Sequence, residues 1–382
     1  MSEARAERAT ALIDSGAIER NCARLAGELT GDALLCAVVK ADGYGHGIVT
    51  SAGAALAGGA EVLAVATARE AVVLREAFAD ARIFVMGALT PHDVVVALMQ
   101  DAELAAWRPD QLRWIAAAGR ELERERPRVH VKHDSGMGRL GERDADVVAA
   151  LAGAVAAADE LELTGLWTHF ATADEPGSSF FEEQLAEFAG LAERLRGEHS
   201  ELLVHAANSA ATLREPASHF DMVRCGVAVY GLDPFGEDPF ARELEPALEL
   251  RSYVADVKRF PPGASAGYGQ RWRAAADTCV GVLPIGYGDG VRRSLTNNAE
   301  VLVEGRRHPL VGTVSMDNVT IDLGPETEIE PGAAAVLIGV QGSERILAED
   351  WAHRLATINY EVTCGISRRV PRIEARSERS PG

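Results

Sequence analysis

The chain is poor in cysteine, in positive charge and in long apolar runs. Its five cysteines are odd in number, scattered and without the paired spacing of a metal site, so we expect reduced thiols in a cytoplasmic protein. No apolar run approaches the ~20 residues that a membrane-spanning helix needs. Residues Met1 to Thr10 alternate glutamate and arginine around no apolar core, which argues against a signal peptide.

What the chain has instead is negative charge and length. The formal net charge of -19 disfavours nucleic acid as a partner, because its phosphates would be repelled. A composition of 47% hydrophobic and 25% charged residues is that of an ordinary globular protein. A length of 382 residues exceeds what one hydrophobic core usually serves, so two domains are expected.

Short β-like runs alternate with alanine-rich helical stretches through the first two thirds of the chain. The candidate strands are Leu34–Val39, Val62–Ala66, Ile83–Met86, Glu103–Trp107, Val129–Lys132, Leu163–Thr168, Leu203–Ala206 and Met222–Arg224. The helix-patterned segments between them include Ile48–Gly58, Ala68–Phe78, Asp110–Glu125 and Phe180–Arg196. Eight such units predict an N-terminal (β/α)8 TIM-type barrel over residues 1–245. A doubly wound open sheet is the alternative, which the eightfold count disfavours.

From about Pro246 onward the sequence pattern changes. The β-rich segments there, separated by turn residues, are Ser252–Phe260, Thr278–Pro284, Ala299–Val303, Leu310–Val314, Val319–Leu323 and Ala335–Ile338. Helical sequence is nearly absent until Ala348–Leu355. A mostly β C-terminal domain is therefore predicted over residues 246–382.

Lys40 directly follows the apolar strand Leu34–Val39, and the glycine-rich turn Ala41–Gly47 comes next. Water is scarce at the end of such a strand, so an amine is easier to deprotonate there, as a Schiff-base lysine requires. A lysine whose ammonium reaches solvent is the alternative, and position alone favours it. The turn favours the first interpretation, because glycines let backbone approach a ligand and Tyr44 offers a polar group beside the amine.

Residues 37–47, AVVKADGYGHG, resemble the pyridoxal-phosphate lysine motif of alanine racemases, and the similarity extends over both predicted domains. The resemblance implies pyridoxal 5'-phosphate as the cofactor, carried by Lys40 as a Schiff base. It also implies an isomerase that interconverts L- and D-alanine to supply D-alanine for peptidoglycan. The implied partners are a small amino-acid substrate and a second copy of the chain, in a homodimer with shared active sites.

Polar residues stand where five predicted strands end, on the barrel face that carries the chemistry in such folds. They are Lys40, the segment Lys132–Arg139, His169, Asn208 with Ser209, and Arg224. Barrels often hold phosphate after their last two strands. Ser209 could be a plain helix N-cap, and that role would not exclude a phosphate contact. The residues that the resemblance assigns to the cofactor are Lys40, Tyr44, Arg139, His169, Asn208, Ser209, Arg224, Gly226, Val227 and Tyr360.

The resemblance puts Arg224 at the pyridine nitrogen of the cofactor. A guanidinium can only donate there, so the nitrogen stays unprotonated and side reactions such as transamination are limited. Without the resemblance, an ion pair of Arg224 with Asp221 is the better interpretation. Arg139 matches a contact to the cofactor's phenolic oxygen and the substrate carboxylate, and Lys132 matches a position that carries a carbamate in some relatives.

Racemisation needs a proton carrier on each face of the substrate Cα, so one lysine is not enough. The resemblance gives the second role to Tyr268, which reaches the lysine of the other subunit. A phenol titrates near ~10 and needs nearby positive charge or hydrogen bonds to act as a base, which His169 and Arg224 could provide. A core tyrosine is the alternative. The substrate contacts that the resemblance implies are Arg139, Tyr287 and the Met316 backbone.

Two residues depart from the family pattern: Ser315 stands where a cysteine is common, and Gly267 where a serine is usual. A broad-specificity or serine-preferring racemase therefore stays an alternative, because a small pocket rejects a hydroxyl poorly. A non-catalytic barrel that binds pyridoxal phosphate is disfavoured by the β domain with Tyr268. A decarboxylase of the same fold type is disfavoured by the lack of a glycine-serine-glycine phosphate loop. No metal site is expected.

Overall fold

A computed structural model describes residues 7–377 of the chain. Its strands, numbered in chain order, are β1 (Thr10–Asp14), β2 (Leu34–Val38), β3 (Val62–Val65), β4 (Arg82–Val85), β5 (Glu103–Ala106), β6 (Arg128–Lys132), β7 (Glu162–Trp167), β8 (Leu203–His205), β9 (Met222–Cys225), β10 (Leu248–Tyr253), β11 (Asp256–Phe260), β12 (Ser265–Ala266), β13 (Trp272–Arg273), β14 (Thr278–Leu283), β15 (Glu300–Val303), β16 (Arg306–Val311), β17 (Val319–Gly324), β18 (Ala334–Gln341), β19 (Glu344–Ile346) and β20 (Arg372–Ala375). The α-helices are Ser15–Ala26, Ile48–Ala57, Ala68–Ala77, Pro91–Met99, Pro109–Glu121, Ala145–Ala156, Ser179–Glu198, Ser209–Arg214, Ala348–Leu355 and Asn359–Cys364. No helix in this range is long and apolar enough to cross a membrane.

The described residues form two compact units, residues 18–229 and residues 7–17 with 230–377. In the first unit, β2 to β9 form a closed parallel barrel in chain order. The barrel closes between β2 and β9, where Leu34 pairs with Met222. The predicted (β/α)8 fold is therefore confirmed, and the doubly wound open sheet is wrong. The domain boundary between residues 245 and 246 stays a prediction.

The barrel strands coincide with the predicted strands to within one residue at each end. The agreement follows from their composition: all four residues of β3, for example, are buried and apolar. Strands of a closed parallel barrel are covered by helices outside and filled by side chains inside, so they appear in the sequence as short unbroken apolar runs. Capping boxes, such as that of Thr67 with Glu70, start the helices that follow.

The second unit contains a ten-stranded sheet with the order β11-β14-β17-β16-β15-β18-β10-β1-β20, and β19 pairs with β18. The mostly β C-terminal domain is thus confirmed. The segment Ser252–Phe260 was expected as one strand but is divided between β10 and β11, because the chain leaves β1 and β18 to pair with β14. Several short elements of this unit were not predicted, among them the strand Thr10–Asp14, the helix Asn359–Cys364 and the strands β12, β13, β19 and β20.

Candidate active site

Lys40 follows β2 and begins a turn of left-handed backbone. Asp42 has a φ of 54° and Tyr44 a φ of 51°, values that residues with a side chain rarely adopt. Hydrogen bonds offset this strain: the N–H of Ile48 donates to Asp42 Oδ1 (2.9 Å), and the N–H of Gly45 to the Asp42 carbonyl (3.1 Å). The turn fixes the half-buried Lys40 and the buried Tyr44 relative to each other.

A glycine cradle, made of Tyr44, Ser209, Gly226 and Val227, carries hydrogen-bond donors where β8 and β9 end. Ser209 is buried, and its hydroxyl accepts hydrogen bonds from the N–H groups of Gly226 (3.0 Å) and Ala228 (3.4 Å). A Cβ added to Gly226 would collide with the Tyr44 hydroxyl, so the phenol lies directly against this backbone. The N–H of Val227 donates to no group among residues 7–377. The structure therefore brings together four of the predicted phosphate contacts.

Asn208 caps the helix that follows β8. Its side-chain oxygen accepts a hydrogen bond from the Ala211 N–H at 3.0 Å, as an N-cap does. The N-cap interpretation of Ser209 is therefore wrong, because the helix begins one residue earlier than that interpretation requires. The Ser209 hydroxyl faces the backbone after β9 instead.

Arg224 in β9 is only 3% exposed. Its guanidinium donates hydrogen bonds to His205 Nδ1 (2.9 Å) and to the Thr168 carbonyl (2.7 Å). Burial lowers the pKa of Arg224 to about 10, which still leaves the group charged at neutral pH. Asp221 pairs with Arg196 instead, so the alternative ion pair is wrong.

Lys132 ends β6 and is also 3% exposed. Its Nζ lies 3.4 Å from the centroid of the Trp167 ring, and no carboxylate in the described part of the chain pairs with it. Burial, with repulsion from Arg224 and Arg139, holds the pKa of Lys132 well below its ordinary value. A buried amine without an anionic partner is costly, so this position favours a neutral or modified amine.

His169 follows β7 and is half-buried. Burial, together with the charges of Arg224, Lys132, Arg139 and Lys40, holds the pKa of His169 well below its ordinary value. The imidazole is therefore neutral at pH 7 and can offer a phenol only a hydrogen bond, not a positive charge. The same interactions show that basic groups from the ends of four strands, β2, β6, β7 and β9, meet at one end of the barrel.

The remaining predicted residues, Tyr268, Tyr287, Met316 and Tyr360, belong to the other compact unit. Tyr268 is 73% exposed, so its interpretation as a core tyrosine is wrong. Gly267 before it has a φ of 72°, and a Cβ there would collide with the Thr313 backbone. The departure from serine therefore has a local reason: the backbone conformation favours glycine.

Two loops of this unit carry the predicted substrate contacts and are joined by backbone hydrogen bonds. The N–H of Tyr287 donates to the Ser315 carbonyl, and that of Gly288 to the Met316 carbonyl, both at 2.9 Å. The Ser315 hydroxyl bonds both backbone groups of Asn318, which shapes the turn. Within residues 7–377 the Met316 N–H has no acceptor, so it is available to an anion.

Family comparison gives the same assignment for both units. The family model "Alanine racemase, N-terminal domain" matches residues 13–234, and "Alanine racemase, C-terminal domain" matches residues 247–374. The chain belongs to the alanine racemase family. Among these proteins, the alanine racemase of Frankia casuarinae is 41% identical over 378 residues, which cover 96% of each chain. That of Geobacillus stearothermophilus is 42% identical over 371 residues, which cover 96% of this chain and 93% of the relative.

Solved structures of alanine racemases share the fold. The enzyme from Streptomyces lavendulae superposes with a TM-score of 0.92 at 36% identity, over 97% of this chain and 98% of that one. The alanine racemase from Bacillus anthracis with bound L-Ala-P gives a TM-score of 0.88 at 39% identity, over 97% of this chain and 95% of that one.

Alanine racemases are isomerases that use pyridoxal 5'-phosphate, and the barrel of this family member fits that group. The Val227 N–H has no acceptor among residues 7–377, and Gly226 lets this backbone lie directly against the Tyr44 phenol, where any side chain would collide. The Ser209 hydroxyl and the strand-end cations supply the donors and positive charge that a phosphate needs. In the described part of the chain, no group of three or more His, Cys, Asp or Glu could hold a metal ion.

Sequence reasoning missed the groups that lie behind Arg224 in the barrel interior. His205 contacts Arg224 directly, and His130 and Glu103 lie beyond it in the same chain of contacts. The available signal was a histidine inside each of two apolar strands, β6 and β8. Sequence alone does not show what these histidines bond to, because their hydrogen-bond partners depend on which side chains meet inside the closed barrel.

Proposed function

We propose that the protein is an alanine racemase that interconverts L- and D-alanine and supplies D-alanine for peptidoglycan. The observation that carries this proposal is the set of basic groups and the glycine cradle at one end of the barrel, in a chain of this family. A broad-specificity or serine-preferring racemase is the second candidate. It is kept because Ser315 replaces a common cysteine in the loop that carries Met316.

In this proposal Lys40 binds the cofactor covalently. Tyr44, Ser209, the backbone at Gly226 and Val227, and Tyr360 hold its phosphate. When bound, pyridoxal phosphate withdraws electrons from the substrate Cα and so makes the Cα proton acidic. The Lys40 amine, released by the substrate, removes or returns this proton on the D side.

Tyr268 of the partner subunit has the matching role on the L side. The phenol exchanges a proton at Cα. Because His169 is neutral, the positive charge around the cofactor comes from the arginines. The exposure of Tyr268 on its own unit supports a role at a surface completed by another chain. We therefore propose a homodimer with two shared active sites, located in the cytoplasm.

Arg224 and Arg139 orient the two reactants. Arg224 can only donate, so it leaves the pyridine nitrogen unprotonated and disfavours transamination. Arg139 is exposed, and it binds the substrate carboxylate with the Met316 N–H. Tyr287 is 43% exposed and bounds the pocket that accepts a small side chain. Asn208 and His169 complete the cofactor contacts.

Lys132 carries a carbamate in this proposal. Its neutral amine attacks CO2, a C–N bond forms, and one proton is released to water. The product is an anion between two arginines, which removes the penalty of an unpaired buried amine. The intact mass of native protein should exceed the sequence mass by about 44 Da, the increment of one covalent modification. An unchanged mass, or no extra density at Nζ in a crystal structure, would contradict this part.

Two measurements on purified protein test the function. Absorbance near ~420 nm that disappears on borohydride reduction is expected from a cofactor bound to a lysine. A chiral assay should then show conversion of L-alanine to D-alanine and the reverse. Comparison of kcat/KM for alanine and serine separates the two candidates, and release of CO2 from an L-amino acid would replace both with a decarboxylase.

A further inference from the structure

A chain of hydrogen bonds crosses the interior of the barrel from Glu103, the first residue of β5, to Arg224 in β9. Glu103 Oε2 is 2.7 Å from His130 Nε2, and His130 Nδ1 is 2.9 Å from His205 Nε2. His205 Nδ1 is in turn 2.9 Å from the Arg224 guanidinium. The four side chains are between 0% and 3% exposed. The chain therefore connects Arg224 to a carboxylate at the opposite end of the barrel.

The two imidazoles are fully buried, and aromatic side chains pack against both of them. His130 packs against Phe84 with ring centroids 4.5 Å apart, and His205 stacks on Trp167 at 5.8 Å. A Cβ on Gly165 would collide with the His130 ring, so the glycine makes the space that this ring occupies. Neither ring can turn without displacing aromatic neighbours, and only their protons can be rearranged.

The end groups dictate where those protons lie. Arg224 can only donate, so His205 Nδ1 accepts and His205 carries its proton on Nε2. That proton is donated to His130 Nδ1, which puts the His130 proton on Nε2, pointing at Glu103. The direction of every bond thus requires an acceptor oxygen at Glu103, and because Arg82 donates to both oxygens of this group, the carboxylate is ionised.

The charges of the groups agree with this arrangement. Burial raises the pKa of Glu103, but hydrogen bonds from His130 and Arg82 outweigh it and lower the pKa to about 2. Burial lowers the pKa of His130, and that of His205 well below its ordinary value, so both rings are neutral. Two neutral imidazoles therefore link one anion to one cation.

We propose that Glu103 is a positioning residue for Arg224, acting through His130 and His205. Its carboxylate fixes both rings in the Nε2–H tautomer, so that His205 presents an acceptor to Arg224 and holds the guanidinium in place. The effect of Glu103 on catalysis rests on the proposed function of Arg224 at the cofactor. The tautomers of His130 and His205 do not depend on that function. Glu103 is itself held by Arg82, at 3.0 Å, and lies 3.5 Å from Arg128.

Glutamine at position 103 breaks the arrangement with little change of shape. Its amide group replaces one of two acceptors with a donor. In the place of Oε1 this donor faces Arg82 and Arg128, and in the place of Oε2 it faces Arg82 and His130. If it faces His130, the proton order of both rings reverses and His205 Nδ1–H meets the Arg224 donors. Glu103→Gln should therefore populate more than one tautomer. Asp101→Asn is the matched control, because Asp101 pairs with Arg128 at the same barrel end (3.1 Å) without contacting either histidine.

The test is 15N NMR of holoprotein labelled in the histidine rings, with signals assigned from His130→Gln and His205→Gln. Wild type and Asp101→Asn should show a protonated Nε2 and an unprotonated Nδ1 for both rings. Glu103→Gln should show mixed or reversed tautomers. A proton on His205 Nδ1 in the wild type would overturn the proposal, and so would unchanged signals in Glu103→Gln. The wild-type spectrum decides even if Glu103→Gln fails to fold.

Kinetics supply the second readout. Glu103→Gln should lower kcat about tenfold, the factor typical of one lost hydrogen bond to a charged group, with KM nearly unchanged. The absorbance spectrum of the bound cofactor should shift in the same variant, and Asp101→Asn should match the wild type in both. Correct tautomers in a protein without racemase activity would refute the proposed function alone. Racemase activity with the wrong tautomers would refute the positioning role alone.

Discussion

The barrel unit and the β unit treat their candidate site residues in opposite ways. In the barrel, Arg224, Lys132 and Ser209 are at most 3% exposed. In the β unit, Tyr268 is 73% and Met316 51% exposed. The barrel buries these three polar groups and gives Arg224 and Ser209 hydrogen-bond partners, whereas the β unit presents its two groups on the surface.

The difference has a physical basis. A buried polar group is costly unless it is hydrogen-bonded, so the barrel half must be nearly complete within one chain. An exposed phenol is hydrogen-bonded by water and needs no partner within its own chain. In the proposed dimer, a second copy of the chain supplies the surface around it. Under the proposed function, the barrel half of the site should therefore tolerate few changes, and the β half should depend on assembly.

The largest effect is expected from Lys40→Ala. Loss of the amine should reduce racemisation by ~10³-fold or more, because both cofactor attachment and one proton carrier disappear. The absorbance near ~420 nm should vanish with the activity in a chiral assay. Lys258→Ala is the control, since this exposed lysine of β11 pairs with Asp256 of the same strand. Wild-type rates in Lys40→Ala would contradict the assignment.

Tyr268→Phe tests the exposed candidate residue of the β unit. Because the side chain is exposed, the fold should keep its melting temperature while kcat falls by ~10²-fold. Deuterium uptake at Cα in D2O should be slowed more for L-alanine than for D-alanine. The half-buried Tyr253 of β10 provides a control in Tyr253→Phe. Equal slowing for both enantiomers would remove the L-side role.

A smaller effect is expected where the β unit does bury a charge. Asp289 is 1% exposed, accepts the Gly286 N–H at 2.9 Å and pairs with Arg8 and Arg369. These contacts anchor the loop of Tyr287 and Gly288, which is hydrogen-bonded to the loop that carries Met316, so Asp289→Asn should raise KM for alanine about tenfold.

The matched control for that loop is Asp317→Asn. Its carboxylate contacts the same Arg369 at 2.6 Å but is half exposed, so KM should change less than twofold on the scale of surface ion pairs. Equal effects of the two variants on KM would show that the buried anchor has no special role.

The smallest effect concerns Lys132→Met. An unmodified Lys132 has a lowered pKa in the folded state, so the unfolded chain binds a proton that the folded chain resists. The loss of folding stability is full at pH values below the folded pKa. It decreases as pH rises above the folded pKa and is gone above the unfolded pKa. The proposed carbamate replaces that amine with an anion between two arginines, so methionine should not raise the melting temperature at pH 7. A rise of about 2 °C at pH 7 that is absent near pH 10.5 would show an unmodified amine and contradict the carbamate.

The barrel was predictable because each of its strands is a local apolar run that ends at a polar residue. The eight strand ends also located Lys40, His169 and Arg224 on one face without any knowledge of contacts. In the β unit, β1 was missed because its five residues are stabilised by β10 and β20, more than two hundred residues away. Local sequence carries no signal of such a pairing.

The partners of the site residues were less predictable than their positions. Asp221 is the nearest acid to Arg224 in sequence. In the folded barrel, however, Arg224 is hydrogen-bonded to His205, and Asp221 forms an ion pair with Arg196. The register of the helix after β8 decides that Asn208 rather than Ser209 is the cap. Side-chain partners depend on tertiary neighbours, and these are set only when the barrel closes.

The central claim is that each active site combines the barrel of one chain with the β unit of another. Lys40→Ala and Tyr268→Phe chains carrying different tags can be co-expressed, and the heterodimer purified through both tags. If sites are shared, one site of this heterodimer has both defects and the other has none, so about half of the wild-type activity per dimer is expected. Activity no higher than that of the two inactive parent homodimers would contradict the account.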